Sequence, residues 1–215
     1  MEDRINVMIV EDQAMPRQLF EVIVKSEPNL NLALSIDNAE IADICCIRHA
    51  INLVLMDVVT KNGASGLVAA EKIKAANKKV KIIIVTSMPE CSYVDRAKAI
   101  GVEGFWYKDF GKEPIQSLIH SVLAGEIVYP DDKPEVMLGL AKCGEFTDRE
   151  LDILREMTGG FTNAEIAEKT GISEKRVRNV VADMLVKTGF RNRTELAVRA
   201  REAGIVILDR KEGDI

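Results

Sequence analysis

The first 124 residues alternate short β-branched apolar runs with longer stretches in which apolar residues recur at helical spacing. Ile5-Asn6-Val7-Met8-Ile9-Val10 reads as a strand and is followed by a helix over Pro16–Lys25. The same alternation predicts a strand at Leu30–Ile36, a helix at Ala39–His49, a strand at Leu53–Met56 and a helix at Leu67–Ala76. It ends with Val80–Val85, the most continuous apolar strand, a helix at Tyr93–Ile100, a short strand at Gly104–Tyr107 and a helix at Pro114–Leu123. Unbroken apolar strands belong to parallel sheets covered by helices on both faces. Five such βα units with right-handed crossovers predict an α/β domain, a doubly wound five-stranded parallel sheet in the order 2-1-3-4-5.

From Gly125 to Glu145 the periodicity weakens and Pro130, Asp131, Asp132, Pro134, Gly139 and Gly144 accumulate, which predicts a linker holding one short helix around Pro134–Ala141. Beyond it the pattern becomes purely helical. Two helix starts carry capping boxes, Thr147-Asp148-Arg149-Glu150 and Thr162-Asn163-Ala164-Glu165. A third helix is expected from Ser173 to Lys187 and a fourth over Thr194–Glu202, stopped by Gly204. Four short helices, with Gly171 between the second and third, suit an all-α helix-turn-helix domain. The domains expected are thus 1–124, a linker at 125–145, and 146–215; the closing run Ile205-Val206-Ile207-Leu208 fits no element.

Composition narrows the class. With 47% hydrophobic and 29% charged residues, the 215-residue chain has enough apolar surface for two modest cores. Neither a signal core nor an apolar run of about 20 residues is present, so a cytoplasmic protein without a membrane partner is expected. Cys45, Cys46, Cys91 and Cys143 show no zinc or redox spacing, and Cys45 and Cys46 read as ordinary helix positions. The net charge of −5 disfavours nucleic acid only if it is spread evenly. It is not: residues 146–215 carry 13 basic against 13 acidic residues, and within 173–193 there are 6 basic (Lys175, Arg176, Arg178, Lys187, Arg191, Arg193) against 2 acidic (Glu174, Asp183).

Candidate chemistry gathers at the C-terminal edge of the predicted sheet, where open α/β sheets place their ligands. Glu11 and Asp12 follow the first strand and Asp57 ends the third. Three clustered carboxylates repel one another unless a cation neutralises them, and hard oxygen ligands suit Mg²⁺. Thr86-Ser87 ends the fourth strand and Lys108 follows the fifth, bringing a hydroxyl and an ammonium to the same edge. Together they make a phosphoryl site, and an aspartate is a possible covalent acceptor. The segment Glu11-Asp12-Gln13-Ala14 lacks the glycines of a dinucleotide-binding turn.

The segments Val10-Glu11-Asp12, Leu55-Met56-Asp57, Val85-Thr86-Ser87 and Gly104-Phe105-Trp106-Tyr107-Lys108-Asp109 resemble a response-regulator receiver domain. The resemblance implies that Asp57 is the phosphoacceptor, that Asp12, Asp57 and the Val59 carbonyl bind Mg²⁺ with Glu11 assisting through water, and that Thr86 and Lys108 sense the phosphoryl group. It places Phe105 as the switch aromatic, turning inward when Thr86 moves. Two departures stand out: Lys61 occupies the place of the usual proline, and Gly66 comes one residue late. Val59 and Met88 lie where a polar group would orient a hydrolytic water, so slow self-dephosphorylation is expected.

Phe146-Thr147-Asp148-Arg149-Glu150, Asn163-Ala164-Glu165-Ile166-Ala167, Gly171-Ile172-Ser173, Val177-Arg178, Val186-Lys187 and Arg193-Thr194-Glu195 resemble a LuxR-type helix-turn-helix. The whole chain is similar to the NarL/FixJ-type response regulators of two-component systems. That implies double-stranded DNA and a sensor histidine kinase as partners, and a homodimer in the phosphorylated or DNA-bound form. The helix from Ser173 would enter the major groove, with Lys175, Arg176, Arg178 and Asn179 near the bases and Lys187, Arg191 and Arg193 near phosphates. Val180 stands where the family commonly has a polar residue, which implies one contact fewer. The expected function is a DNA-binding transcription regulator, not an enzyme, controlled by phosphorylation of Asp57. A phosphohydrolase would want an acid two residues beyond the nucleophile, where Val59 stands. A phosphorylation-independent regulator, its receiver a dimerisation module, is the remaining alternative.

Overall fold

The computed structural model describes residues 4–89, 92–109, 113–131 and 135–206. They fall into two compact units, one built on residues 4–87 and 94–131, the other on 88–89, 92–93 and 135–206.

In the first unit β1 (Ile5–Val10), α1 (Ala14–Ser26), β2 (Leu30–Ile36), a short 3-10 turn and α2 (Ala42–Arg48) lead to β3 (Leu53–Asp57). A small antiparallel pair, β4 (Val59–Thr60) and β5 (Ala64–Ser65), precedes α3 (Gly66–Ala76). β6 (Lys81–Thr86), α4 (Ser92–Ile100), β7 (Gly104–Tyr107) and α5 (Ile115–Ala124) complete it. The parallel sheet runs β2-β1-β3-β6-β7. With the two-residue strands set aside, this is the expected order.

Period-two alternation divides the sheet's side chains between two cores. Val7, Ile9, Leu53, Leu55, Ile83 and Val85 pack with Phe20, Ile23 and Val24 of α1 and Leu118, Ile119 and Val122 of α5. Met8, Val10, Val54, Met56, Ile82 and Ile84 alternate with them and are equally buried. Far from the carboxylates in sequence, Lys74 pairs with Glu103 at 2.6 Å and donates to the Val80 carbonyl, while Glu103 accepts from the Ile82 amide. After α5 the chain turns at Gly125 and runs beside β7: the Phe105 amide donates to the Val128 carbonyl (3.0 Å) and the Val128 amide to the Glu103 carbonyl (2.8 Å). The linker expected from Gly125 onward thus begins with residues that satisfy edge groups of the sheet.

The second unit opens with a two-residue hairpin, β8 (Met137–Leu138) and β9 (Ala141–Lys142), followed by α6 (Asp148–Thr158), α7 (Asn163–Thr170), α8 (Glu174–Thr188) and α9 (Arg193–Glu202). The hairpin replaces the helix expected around Pro134–Ala141; Pro134 itself lies outside the described residues. Gly139 takes a positive φ of 63° in the turn, where a Cβ would come within 2.1 Å of the Thr188 carbonyl oxygen. The turn thereby points Leu138 and Ala141 into a core with Leu151, Leu154, Ile166, Val177, Val181, Met184 and Leu196. Ile205 and Val206 are fully buried in the same core, which gives the start of the apolar run its place; Ile207 and Leu208 lie outside the described residues.

Both capping boxes form, Thr147 with Glu150 and Thr162 with Glu165. α7 ends at Gly171 in the left-handed conformation, and Ser173 caps α8 by accepting from the Arg176 amide. The three-residue turn between α7 and α8 completes the helix-turn-helix.

Candidate functional site

Strand register brings the acidic site together. Val10 lies beside Met56 and Asp57 beside Val85, so the residues that follow β1, end β3 and end β6 share one edge. Glu11 is fully buried, Asp57 is 5% exposed and Asp12 is exposed. Their carboxylate oxygens can all lie within 4.8 Å of one another. Lys108 reaches in from the end of β7 and donates to Asp57 Oδ2 at 2.9 Å and to Glu11 Oε2. Asp57 Oδ1 accepts from the Val58 amide (2.7 Å), and Glu11 Oε1 from the Gln13 amide (3.0 Å).

Burial pushes the Asp57 carboxyl up to about 7; Lys108 opposes the rise and Glu11 adds to it. Burial and the neighbouring Glu11 also raise Asp12. Burial works against the Lys108 charge, yet Asp57 and Glu11 together hold its ammonium above the ordinary lysine value. Lys108 bonds to two of the three clustered carboxylates, and Asp12 faces solvent. The donor set fits a hard divalent cation.

Thr86 is fully buried at the end of β6, and its carbonyl accepts the Lys108 amide at 2.9 Å. Phe105 is buried with its ring edge-on to Tyr107, centroids 5.0 Å apart. Val59 sits in β4, two residues beyond Asp57. The loop after Asp57, irregular in sequence, is tightly held: Lys61 pairs with Asp37 at 2.9 Å, the Thr60 hydroxyl donates to the Ala64 carbonyl and accepts the Ala39 amide, and Asn62 takes a positive φ of 63°. Gly66 explains the late glycine. Its amide donates to the Val58 carbonyl at 2.8 Å, and a Cβ there would lie 1.9 Å from the Asp57 carbonyl oxygen. Only glycine lets α3 start this close to Asp57.

In the second unit the DNA-binding candidates divide into two sets. Lys175, Arg176, Arg178 and Asn179 are exposed on the N-terminal half of α8, with Arg178 pairing to Glu174 at 2.8 Å, and Arg191 is exposed beyond its end. Lys187 and Arg193 are engaged inside the domain. Lys187 donates to both Glu150 oxygens at 2.6 and 2.8 Å and to the Glu145 carbonyl, with its ammonium 5.0 Å from the Phe146 ring centre. Arg193 donates to Asn163 Oδ1 and the Phe161 carbonyl. Val180 is only 7% exposed and faces the core, so its apolar character serves packing. Ala182, Asp183 and Val186 are also exposed on α8.

Cys45 and Cys46 are free thiols on α2, and burial pushes the Cys46 thiol up to about 12, which keeps it protonated and inert.

Fold and site define a receiver joined to a helical DNA-binding module. Residues 7–120 match the family model described as response regulator receiver domain, and residues 145–200 match bacterial regulatory proteins, luxR family. The chain belongs to this family: it is a DNA-binding response regulator of a two-component system. It is similar to the transcriptional regulatory protein DesR of Bacillus subtilis (strain 168), with 30% identity over 201 residues, covering 93% of this chain and 98% of that one. It is also similar to the Fimbriae Z protein of Escherichia coli (strain K12), with 26% identity over 198 residues, 89% and 93% of the two chains. Among solved structures, RcsB from Salmonella enterica serovar Typhimurium bound to promoter rprA with the phosphomimetic BeF3- shares the fold at a TM-score of 0.64 and 16% identity, over 92% of this chain and 99% of that one.

Proposed function

We propose that Asp57 accepts a phosphoryl group from the phosphohistidine of a sensor kinase and that this modification governs dimerisation and DNA binding by the second unit. One observation carries the reading: a buried carboxylate at a strand end lies 2.9 Å from a buried lysine, with two further carboxylates beside it. In the transfer an Asp57 carboxylate oxygen forms the new bond to phosphorus and the phosphorus–nitrogen bond breaks, its electron pair leaving with the imidazole. Lys108 exchanges its bond to Asp57 for one to a phosphoryl oxygen, and the Thr86 hydroxyl donates to another.

Asp12 and Asp57, with the Val59 carbonyl and Glu11 through water, are the residues to hold Mg²⁺. When bound, the ion supplies charge neutralisation at the phosphoryl oxygens. Asp57 is here a substrate of transfer and the chain is not an enzyme. Val59 and Met88 offer no polar side chain to position a water, so the phosphoryl group is lost slowly. Both partners, kinase and chromosome, assign the chain to the cytoplasm.

The test treats wild type and Asp57→Ala with Mg²⁺ and a small phosphoryl donor such as acetyl phosphate, reading mass and sedimentation together. Wild type alone gains one phosphoryl group and then dimerises. Failure of the wild type to be modified leaves a phosphorylation-independent regulator.

A further inference from the structure

The outer face of α8 carries a distinct chemical sequence. Val177, Val181, Met184 and Thr188 are buried. At about 100° per residue the line opposite them is Lys175, Asn179, Ala182 and Val186, all exposed. After Lys175 this line carries no cation: it presents an amide, a methyl and an isopropyl group. Val186 is 83% exposed, a large apolar side chain that nothing in its own domain covers. The charged residues flank the line, Arg178 on one side and Arg176 and Asp183 on the other. The Arg178–Glu174 pair, 66% and 50% exposed, is a solvent-screened contact that a phosphate can displace.

From this face we infer the class of DNA half-site that the protein reads: a core of about five base pairs, with A·T pairs at its centre. The inference rests on the DNA-binding reading above and adds base identity to it. Lys175 to Val186 spans eleven residue steps, roughly 16 Å of helix, which matches the length of about five stacked base pairs. An asparagine side chain pairs with adenine by donating to N7 and accepting from N6, so Asn179 selects an adenine at the centre. Thymine alone offers a methyl group in the major groove, so Ala182 and Val186 select thymine on the side towards the end of the helix. Lys175 admits guanine at the other end, through O6 and N7. The basic flank at the N-terminal half of α8 supplies the sequence-independent attraction that brings this apolar line to the groove.

The test uses the full-length chain treated with Mg²⁺ and beryllofluoride, and a library of randomised duplexes from which bound sequences are enriched. An enriched half-site is expected with an adenine and a thymine at its centre and a further thymine at the end that Val186 reaches. In the enriched duplex, replacing the thymine at that end by uracil removes only its methyl group and weakens wild-type binding several-fold, and Val186→Ser removes most of that difference. Asn179→Ala relaxes the adenine preference by on the order of tenfold, with an unchanged circular-dichroism spectrum. A G·C-rich centre, equal binding of uracil and thymine duplexes, or an adenine preference that survives Asn179→Ala overturns the base assignment while DNA binding itself stands. Absence of any enrichment by the wild type overturns both.

Discussion

Gly66 packs directly on the backbone of Asp57, the proposed phosphoacceptor. A methyl group at this position would meet the Asp57 backbone oxygen at 1.9 Å, and backbone cannot swing aside as a flexible side chain can. Gly66→Ala is therefore expected to cost about 1–3 kcal/mol by overpacking and to displace the carboxylate. Thermal denaturation and phosphoryl uptake from acetyl phosphate should both fall; an unchanged uptake rate would count against this role. Lys187 and Arg191 form a second contrast. Arg191 is exposed, whereas Lys187 is held by Glu150 and Glu145. Arg191→Ala should lower the slope of log binding constant against log salt by about 1 with little change in melting temperature. Lys187→Gln should lower the melting temperature by breaking an ion pair inside the domain, leaving Glu150 without its cation.

Between elements, that ion pair joins α6 to α8 and gives the domain an acid-sensitive point. Burial pushes the Glu150 carboxyl up, but hydrogen bonds from Lys187 and from Thr147 outweigh it and hold the group below its ordinary value of 4.5. A carboxyl with a depressed folded-state pKa stabilises fully above the ordinary value and loses that contribution as pH falls through the depressed one. Melting of the wild type should therefore fall faster below pH 4.5 than melting of Glu150→Gln, which starts lower and lacks this carboxyl. Parallel pH profiles would remove Glu150 from the account. At the start of α7, Thr162 accepts the Glu165 amide while the Glu165 carboxylate takes the Thr162 amide. Thr162→Ala should cost about 1 kcal/mol, read by chemical denaturation, and loosen the helix that precedes the recognition helix.

For the whole molecule, two units with separate cores divide the work. The groups of the proposed phosphoryl site lie within the first: Glu11, Asp12, Asp57, Thr86 and Lys108 all come from one sheet edge. The proposed DNA-contacting residues lie within the second, where α8 offers one exposed face. A single module with few free cations binds DNA weakly, so pairing two copies is the natural means of strengthening it. The phosphorylated chain should bind a duplex with two half-sites about one helical turn apart at least about a hundredfold more tightly than a duplex with one. Equal affinities would disconnect dimerisation from DNA binding.

How much of this was legible depends on the range of the forces involved. Strands, capping boxes and the five residues of the acidic edge could be read from the chain, because period-two burial, local cap hydrogen bonds and the rule that sites form at the C-terminal edge depend on neighbours along the chain and on a single topology. The hairpin at Met137–Lys142 could not: its turn is set by Thr188, about fifty residues on. The return of Val128 to the edge of β7, the burial of Ile205 and Val206, and the internal duties of Lys187 and Arg193 depend in the same way on partners distant in sequence. By itself the sequence determined the type and order of the main elements and which reactive groups meet at one strand edge. Only the tertiary structure decided which of the candidate cations are engaged inside their own domain, because a long flexible side chain goes to whichever carboxylate or carbonyl the packing brings within about 3 Å.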